Sequence, residues 1–517
     1  MTFKRKLIPA FLFALLFYIQ LSAQTIVLPR STPEGEGVSS QYIIEFLDAV
    51  AKSKNEMHSL MILRHGKVIT QGWWNPYRSD LKHTLYSLSK SFTSSAVGFA
   101  VSEKRISLDD KVISFFPDKL PDTLSNYFAE LTIKDLITMS VGQAPDPTGK
   151  LVSQNTDWIK SFFTEPIRNK PGTMFLYNSM ATYMLSAIVQ KVTGQKIIDY
   201  LKPRLFDPLG IKGMDWETDP VGINTGGWGL RIKTEDIARF GQLYLQKGKW
   251  NGKQILPTSW VEEATSFKVD NAPGAAQSKK DSSDWMQGYC YQFWRCRYNN
   301  YRGDGAFGQY CIVLPEEDAV IAITSETPDM QDELNLVWKY LLPAMQVDKS
   351  SLNKNDAVAL QKRLRLLKIP FPGVADSTFR PTSVSGKAFN MEANSKKIKS
   401  ISFSEKNHII TLTLKTDKDL YALHFGQRKW YEAKTTMLGP SLVDLAKNHF
   451  AGLPPSQIEG SYSWKGNSVL EMQLRYIDSP HTLIMTFYFD GDKILVDMLD
   501  SFKTPDKKIT LKGEAGK

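Results

Sequence analysis

Leu81-Lys82-His83-Thr84-Leu85-Tyr86-Ser87-Leu88-Ser89-Lys90-Ser91-Phe92-Thr93-Ser94-Ser95-Ala96-Val97-Gly98-Phe99-Ala100 is the stretch around which the rest of this chain is read. A polar entry runs into a helix of small and apolar residues, and a helix with no polar face calls for burial on every side. Ser87 and Lys90 stand at i and i+3 in its first turn, so their side chains share a face beside backbone N–H groups that lack helical acceptors. A serine with an adjacent lysine and unpaired N–H groups has the parts of an acylating nucleophile.

A bare Ser-x-x-Lys spacing is common, and Ser79-Lys82 and Ser351-Lys354 have it too, so context decides. Upstream, Ile43, Ile44, Phe46, Leu47, Val50 and Ala51 recur at helical spacing. Two β-rich runs, residues 59–64 and 68–74, then flank the turn His65-Gly66-Lys67, which predicts an antiparallel hairpin immediately before the Ser87 helix. Helix, hairpin and buried helix in that order predict an α/β fold, more strictly α+β: an antiparallel sheet covered by helices.

Downstream, Leu131 to Gly142 reads as a capped scaffold helix. Tyr177-Asn178-Ser179 places three polar side chains between a turn and a helix, where rigid structure can present them. Gly226-Gly227-Trp228-Gly229 is glycine-rich but lacks the spacing of a phosphate loop. Strand-like runs with short turns return over residues 288–324, including Asp304-Gly305-Ala306-Phe307, and Leu334, Val337, Trp338 and Leu341 predict a closing helix. The helices between residues 101 and 287 therefore form an all-helical insertion in one sheet.

These stretches fall in the order and spacing of the serine β-lactamase and penicillin-binding-protein superfamily, and residues 30–345 resemble its class C-like, esterase and 6-aminohexanoate-oligomer hydrolase branch. Ser87-Leu88-Ser89-Lys90 matches the S-x-x-K motif. Tyr177-Asn178-Ser179 resembles the Tyr-x-Asn motif with serine in its last place, and Asp304-Gly305-Ala306 stands where the family has Lys-Thr-Gly or His-x-Gly. The resemblance implies Ser87 as nucleophile, Lys90 and Tyr177 as the groups that take its proton and pass it to the leaving group, and an oxyanion hole from the N–H groups of Ser87 and Phe307. Ser179, Asp304, Gly305 and Ala306 would line the substrate site. Other nucleophile schemes fit less well: His58, His65 and His83 precede Ser87 and the remaining four histidines lie beyond residue 400, against the Ser, Asp, His order of α/β-hydrolases.

Two departures from the family pattern bear on substrate. An acidic Asp304 in place of a cation should repel a substrate carboxylate, and Ser179 lacks the amide of asparagine, which both donates and accepts. The expected activity is hydrolysis of an ester or amide through an acyl-enzyme, with efficient β-lactam turnover disfavoured. A D-Ala-D-Ala carboxypeptidase or penicillin-binding protein, or a non-catalytic ligand-binding member of the fold, is the alternative.

The 517 residues, 42% hydrophobic and 11% aromatic, suffice for several domains. Residues 1–23, with Lys4-Arg5-Lys6 before an apolar run, read as a signal peptide; the expectation is export, to periplasm or outside the cell, with no membrane span after its removal. Residues 24–347 form the expected catalytic domain, 348–385 a helical and proline-containing linker, and 386–517 an all-β domain of alternating strands. Of the net charge of +10, +8 falls in residues 351–517, without basic clusters interleaved with stacking aromatics, so no nucleic-acid partner is expected. Cys290, Cys296 and Cys311 read as buried thiols, a disulfide plus an odd thiol being the alternative. Their spacing offers no zinc site, and neither metal nor cofactor is expected; the partner is a small ester, amide or peptide.

Overall fold

The computed structural model describes residues 27–373 and 381–516; the expected signal peptide lies outside them. The amphipathic pattern forms α1 (Ser40–Lys52), which buries Ile43, Phe46, Leu47 and Val50. The expected hairpin follows as β1 (Glu56–Arg64) and β2 (Lys67–Trp73), turning through His65 and Gly66, both at positive φ. Strands β3 (Trp294–Arg295), β4 (Tyr301–Gly305), β5 (Gln309–Leu314) and β6 (Ala319–Glu326) complete an antiparallel sheet in the order β2-β1-β6-β5-β4-β3. The first hairpin thus pairs with the last strand, and the helical insertion lies between.

Alternation along these strands makes two cores. Met61, Leu63, Val313 and Val320 face the helical insertion, whereas Leu60, Ile62, Ile312 and Ile321 face α1 and the closing helices. Both faces are covered, which is why the strands read as nearly continuous apolar runs. The stretch quoted above enters through a 3₁₀ turn, Tyr86–Leu88, into α2 (Ser89–Ser102), in which every residue from 89 to 100 is buried. Phe92 of α2 stacks on Phe240 at 3.9 Å. Two further helices matter to the site, α3 (Ser179–Thr193) and α4 (Thr234–Leu245). Cys290, Cys296 and Cys311 are buried free thiols, and burial pushes each thiol pKa up.

The segment expected to link the domains differs from a spacer. Its helix, Lys354–Leu364, packs Leu360 and Leu364 into the outer core with Leu367 and Ile369. Gly72 of β2 leaves room for this: a Cβ there would lie 2.8 Å from Leu367. The apolar residues on a basic helix were the physical signal that it buries one face.

Beyond it, ten strands from Ala388–Met391 to Ile509–Ala515 form one sheet among the described residues. Gly426 and Gln427 pair in parallel with Ser461 and Tyr462 and close it into a barrel, removing open edges. This domain is docked on the catalytic domain through buried polar contacts. Arg475 makes two hydrogen bonds to Glu56, at 2.6 and 3.0 Å, and Arg231 bridges to Asp478 at 2.7 Å. Asn448 donates to Glu217 and to the Thr218 carbonyl, each at 2.9 Å. Among the described residues no helix is long and apolar enough to cross a membrane.

Candidate active site

Ser87 sits in the 3₁₀ turn ahead of α2, half-buried, while Lys90 one turn on is 1% exposed. The Lys90 ammonium donates to Ser87 Oγ at 3.0 Å, to Ser179 Oγ at 3.0 Å and to the Gly227 carbonyl at 2.8 Å. Among the described residues no carboxylate is bonded to it. Burial therefore dominates and lowers its pKa to about 7, with Asp146 and Asp304 pulling weakly the other way.

Asn178 caps α3, its Oδ1 accepting from the N–H groups of Met180 and Ala181, and Gln143 fixes its amide. The residues on either side are thereby aimed at Lys90. Ser179 supplies the hydroxyl just described, so the serine keeps a contact to the lysine despite lacking an amide. Tyr177 meets Lys90 through its ring face, 4.7 Å from centroid to Nζ, and stacks on Trp294. Burial, then Asp304, raise the phenol pKa, and the Ser87 hydroxyl lowers it in part.

The third expected element runs along β4. Asp304 is buried, and Arg302, two residues earlier on the same strand face, donates to it at 2.8 Å. Arg302 itself is fully buried beside Trp285 and Trp294. The sequence set Asp304 alone against a substrate carboxylate; in the structure Arg302 pairs with it, and burial raises the pKa of its carboxyl. Gly305 is where the strand touches the Ser87 turn, since a Cβ there would stand 2.0 Å from the Leu85 carbonyl oxygen and 3.1 Å from the Ser87 nitrogen. Ala306 and Phe307 follow, half-buried, in the turn to β5, with Phe307 at φ +66°.

A family model described as Beta-lactamase matches residues 49–344, more than half of the chain. The chain belongs to the beta-lactamase family. Among its relatives, the 6-aminohexanoate-dimer hydrolase of Paenarthrobacter ureafaciens is 25% identical over 292 residues, 52% of this chain and 73% of that protein. A proposed D-alanyl-D-alanine carboxypeptidase of Escherichia coli K12 is 25% identical over 224 residues, of which this chain spans half the length. A solved structure of a proposed 6-aminohexanoate-dimer hydrolase from Bacillus anthracis superposes with a TM-score of 0.50 at 22% identity, over 64% of this chain and 90% of that one. The expected fold is therefore shown: a beta-lactamase-type hydrolase fold followed by a separate β-barrel domain.

The structure brings Ser87, Lys90, Tyr177 and Ser179 together and lays Gly305 against them. It adds the Gly227 carbonyl, a backbone acceptor with no side-chain signature, and Arg302, legible only through its i, i+2 relation to Asp304 on a strand.

Proposed function

We propose that this protein is an exported serine hydrolase that cleaves an ester or amide through an acyl-enzyme on Ser87. The observation that carries the reading is a buried lysine, bonded to two serine hydroxyls and a backbone carbonyl, 3.0 Å from the half-buried Ser87 hydroxyl. A lysine with a pKa of about 7 is part neutral at physiological pH and has a lone pair for the serine proton.

The steps balance as follows. Ser87 Oγ bonds to the substrate carbonyl carbon as its proton passes to Lys90. Tyr177, held neutral by its raised pKa, donates its phenolic proton to the leaving oxygen or nitrogen as that bond breaks, and Lys90 returns the proton to Tyr177. Water then attacks the acyl carbon, giving a proton to Lys90, and Ser87 leaves with it. This assigns the lysine as base and the tyrosine as acid, a sharper division than the shared role expected from sequence.

The oxyanion donors also shift by one residue. The Gly305 carbonyl accepts from Gly308 N–H at 3.2 Å, so the polar groups of Gly305 face β5. Gly305 lies against the Ser87 nitrogen, so the N–H of Ala306, the first residue of the turn, is the next backbone donor along from that contact. We therefore place the second donor at Ala306 in place of Phe307. The leader-like residues 1–23 support export to the periplasm or beyond, and a small ester, amide or peptide is the substrate class.

The pH dependence tests this reading. The rate of Ser87 labelling by a fluorophosphonate should climb from pH 5, half-rise near the Lys90 pKa of about 7 and level off above it, because the active base is the deprotonated form. Tyr177 remains protonated, so no decline should set in before pH 10. A profile flat from pH 5 to 9 would rule out Lys90 as the base.

A further inference from the structure

Two residues next to the proposed oxyanion donors hold an unusual backbone. Tyr86, before Ser87, has φ +45°, and Phe307, after Ala306, has φ +66°. For an aromatic L-residue the left-handed region is strained and persists only where its surroundings enforce it. Both side chains converge on one residue of the barrel domain.

We propose that His481 is a positioning residue for the Ser87 site, locking Tyr86 and Phe307 into the backbone geometry that aims the two oxyanion N–H groups. The inference rests on the acyl-enzyme reading above. His481 Nε2 is 2.5 Å from the Tyr86 hydroxyl, and its ring meets the Phe307 ring edge-on at 4.7 Å and 90°. Tyr86 and Phe307 also touch, with centroids 5.6 Å apart, so the three rings form one cluster, and Phe502 closes it at 4.4 Å from His481.

The imidazole is itself fixed. Nδ1 lies 2.5 Å from Glu326 Oε1 at the end of β6, and Ser501 donates to the same oxygen at 2.8 Å. In the tautomer that donates from Nδ1 to Glu326, Nε2 is left to accept the Tyr86 proton. The His481 side chain has no exposure to solvent. On its other side the Tyr86 hydroxyl interacts with Ser441 and the Leu442 backbone, also from the barrel domain. Thr84, two residues before Tyr86, is tied to the Asp478 carbonyl through its N–H at 2.9 Å and its hydroxyl at 3.1 Å. The barrel domain thus grips the nucleophile turn at successive points, and His481 reaches both Tyr86 and Phe307. It touches neither Ser87 nor Lys90, so it acts through the residues it holds.

The test uses the full chain and a fluorophosphonate probe, separating the saturating labelling rate at Ser87 from the half-saturating concentration. Tyr86→Phe removes only the hydroxyl, and domain docking survives on Arg475–Glu56 and Arg231–Asp478. The expected result is a saturating rate 10- to 100-fold lower for Tyr86→Phe and for His481→Phe, at an unchanged half-saturating concentration and with the melting temperature of Tyr86→Phe within a few degrees of wild type. The double variant should lose no more than either single one, because both cut one link. His481→Gln, whose amide oxygen can accept from Tyr86, should recover part of the rate. An unaltered saturating rate in Tyr86→Phe, with the wild type labelled on Ser87, overturns the role of His481, as do losses that multiply in the double variant. If His481→Phe does not fold, Tyr86→Phe decides alone. If the folded wild type is not labelled on Ser87, the acyl-enzyme reading fails and takes this inference with it.

Discussion

Lys90→Met is expected to slow acylation of Ser87 by about 10³- to 10⁴-fold, the upper part of what general-base removal costs, and to make the protein more stable. The rate falls because no other base is bonded to Ser87: Lys90 holds the hydroxyl at 3.0 Å, and Tyr177 has its pKa raised. The stability gain follows from linkage. The folded-state pKa of Lys90, about 7, lies below the 10.5 of an unperturbed lysine, so the unfolded chain binds more protons between those values. Wild-type stability therefore rises with pH across about 7 to 10.5, and the buried lysine costs most at and below pH 7. A methionine of similar length carries no charge to desolvate and should lift the melting temperature at pH 7 by at least about 2 °C, with the gain vanishing above pH 10.5. Kinetics and melting curves of the same variant check both halves; a destabilised Lys90→Met would mean that the three hydrogen bonds of Lys90 outweigh its burial.

The second large effect is expected at Gly305. The three atoms nearest a Cβ there would all be backbone: the Leu85 oxygen at 2.0 Å, the Leu85 carbon at 3.0 Å and the Ser87 nitrogen at 3.1 Å. Backbone cannot rotate aside, so Gly305→Ala must part β4 from the Ser87 turn and separate the two oxyanion donors. A displacement on the order of 1 Å costs about 10²-fold in rate, and loss of one donor about 10²- to 10³-fold. Gly303→Ala is the control. Its Cβ meets the side chains of Leu88 and Ser91, each at 2.5 Å, which can move, so it should cost stability with a rate loss at least tenfold smaller. Equal rate losses in the two variants would show that the strand edge takes no part in the reaction.

How much of this was legible in the sequence varies with the range of the interaction. The sheet follows from the β-rich apolar runs of β1, β5 and β6, and Ser87 and Lys90 follow from helical spacing in one turn together with the order of the motifs around it. Tyr177 and Ser179 were legible as a polar tip between a turn and a helix and through the resemblance to a Tyr-x-Asn motif; the structure adds that Asn178 caps α3 between them. The Gly227 carbonyl left no trace, because any residue type offers the same backbone oxygen. The charge of Asp304 was read without its partner, although Arg302 stands on the same face of the strand two residues away. The sequence pointed to Phe307 as the second oxyanion donor, and the proposed move to Ala306 rests on the Gly305 contact with the Ser87 turn, which no local pattern encodes. His481 lies 395 residues from Tyr86 in a domain whose own pattern spells out only alternating strands. No local signal could pair them.

The central claim is that Ser87 is the nucleophile, and mass spectrometry after incubation with a fluorophosphonate tests it most directly. The account predicts one adduct on the wild-type chain, mapped to the peptide that carries Ser87, and none on a folded Ser87→Ala variant. An adduct that persists in Ser87→Ala, or a folded wild-type chain that takes up no probe, would contradict it.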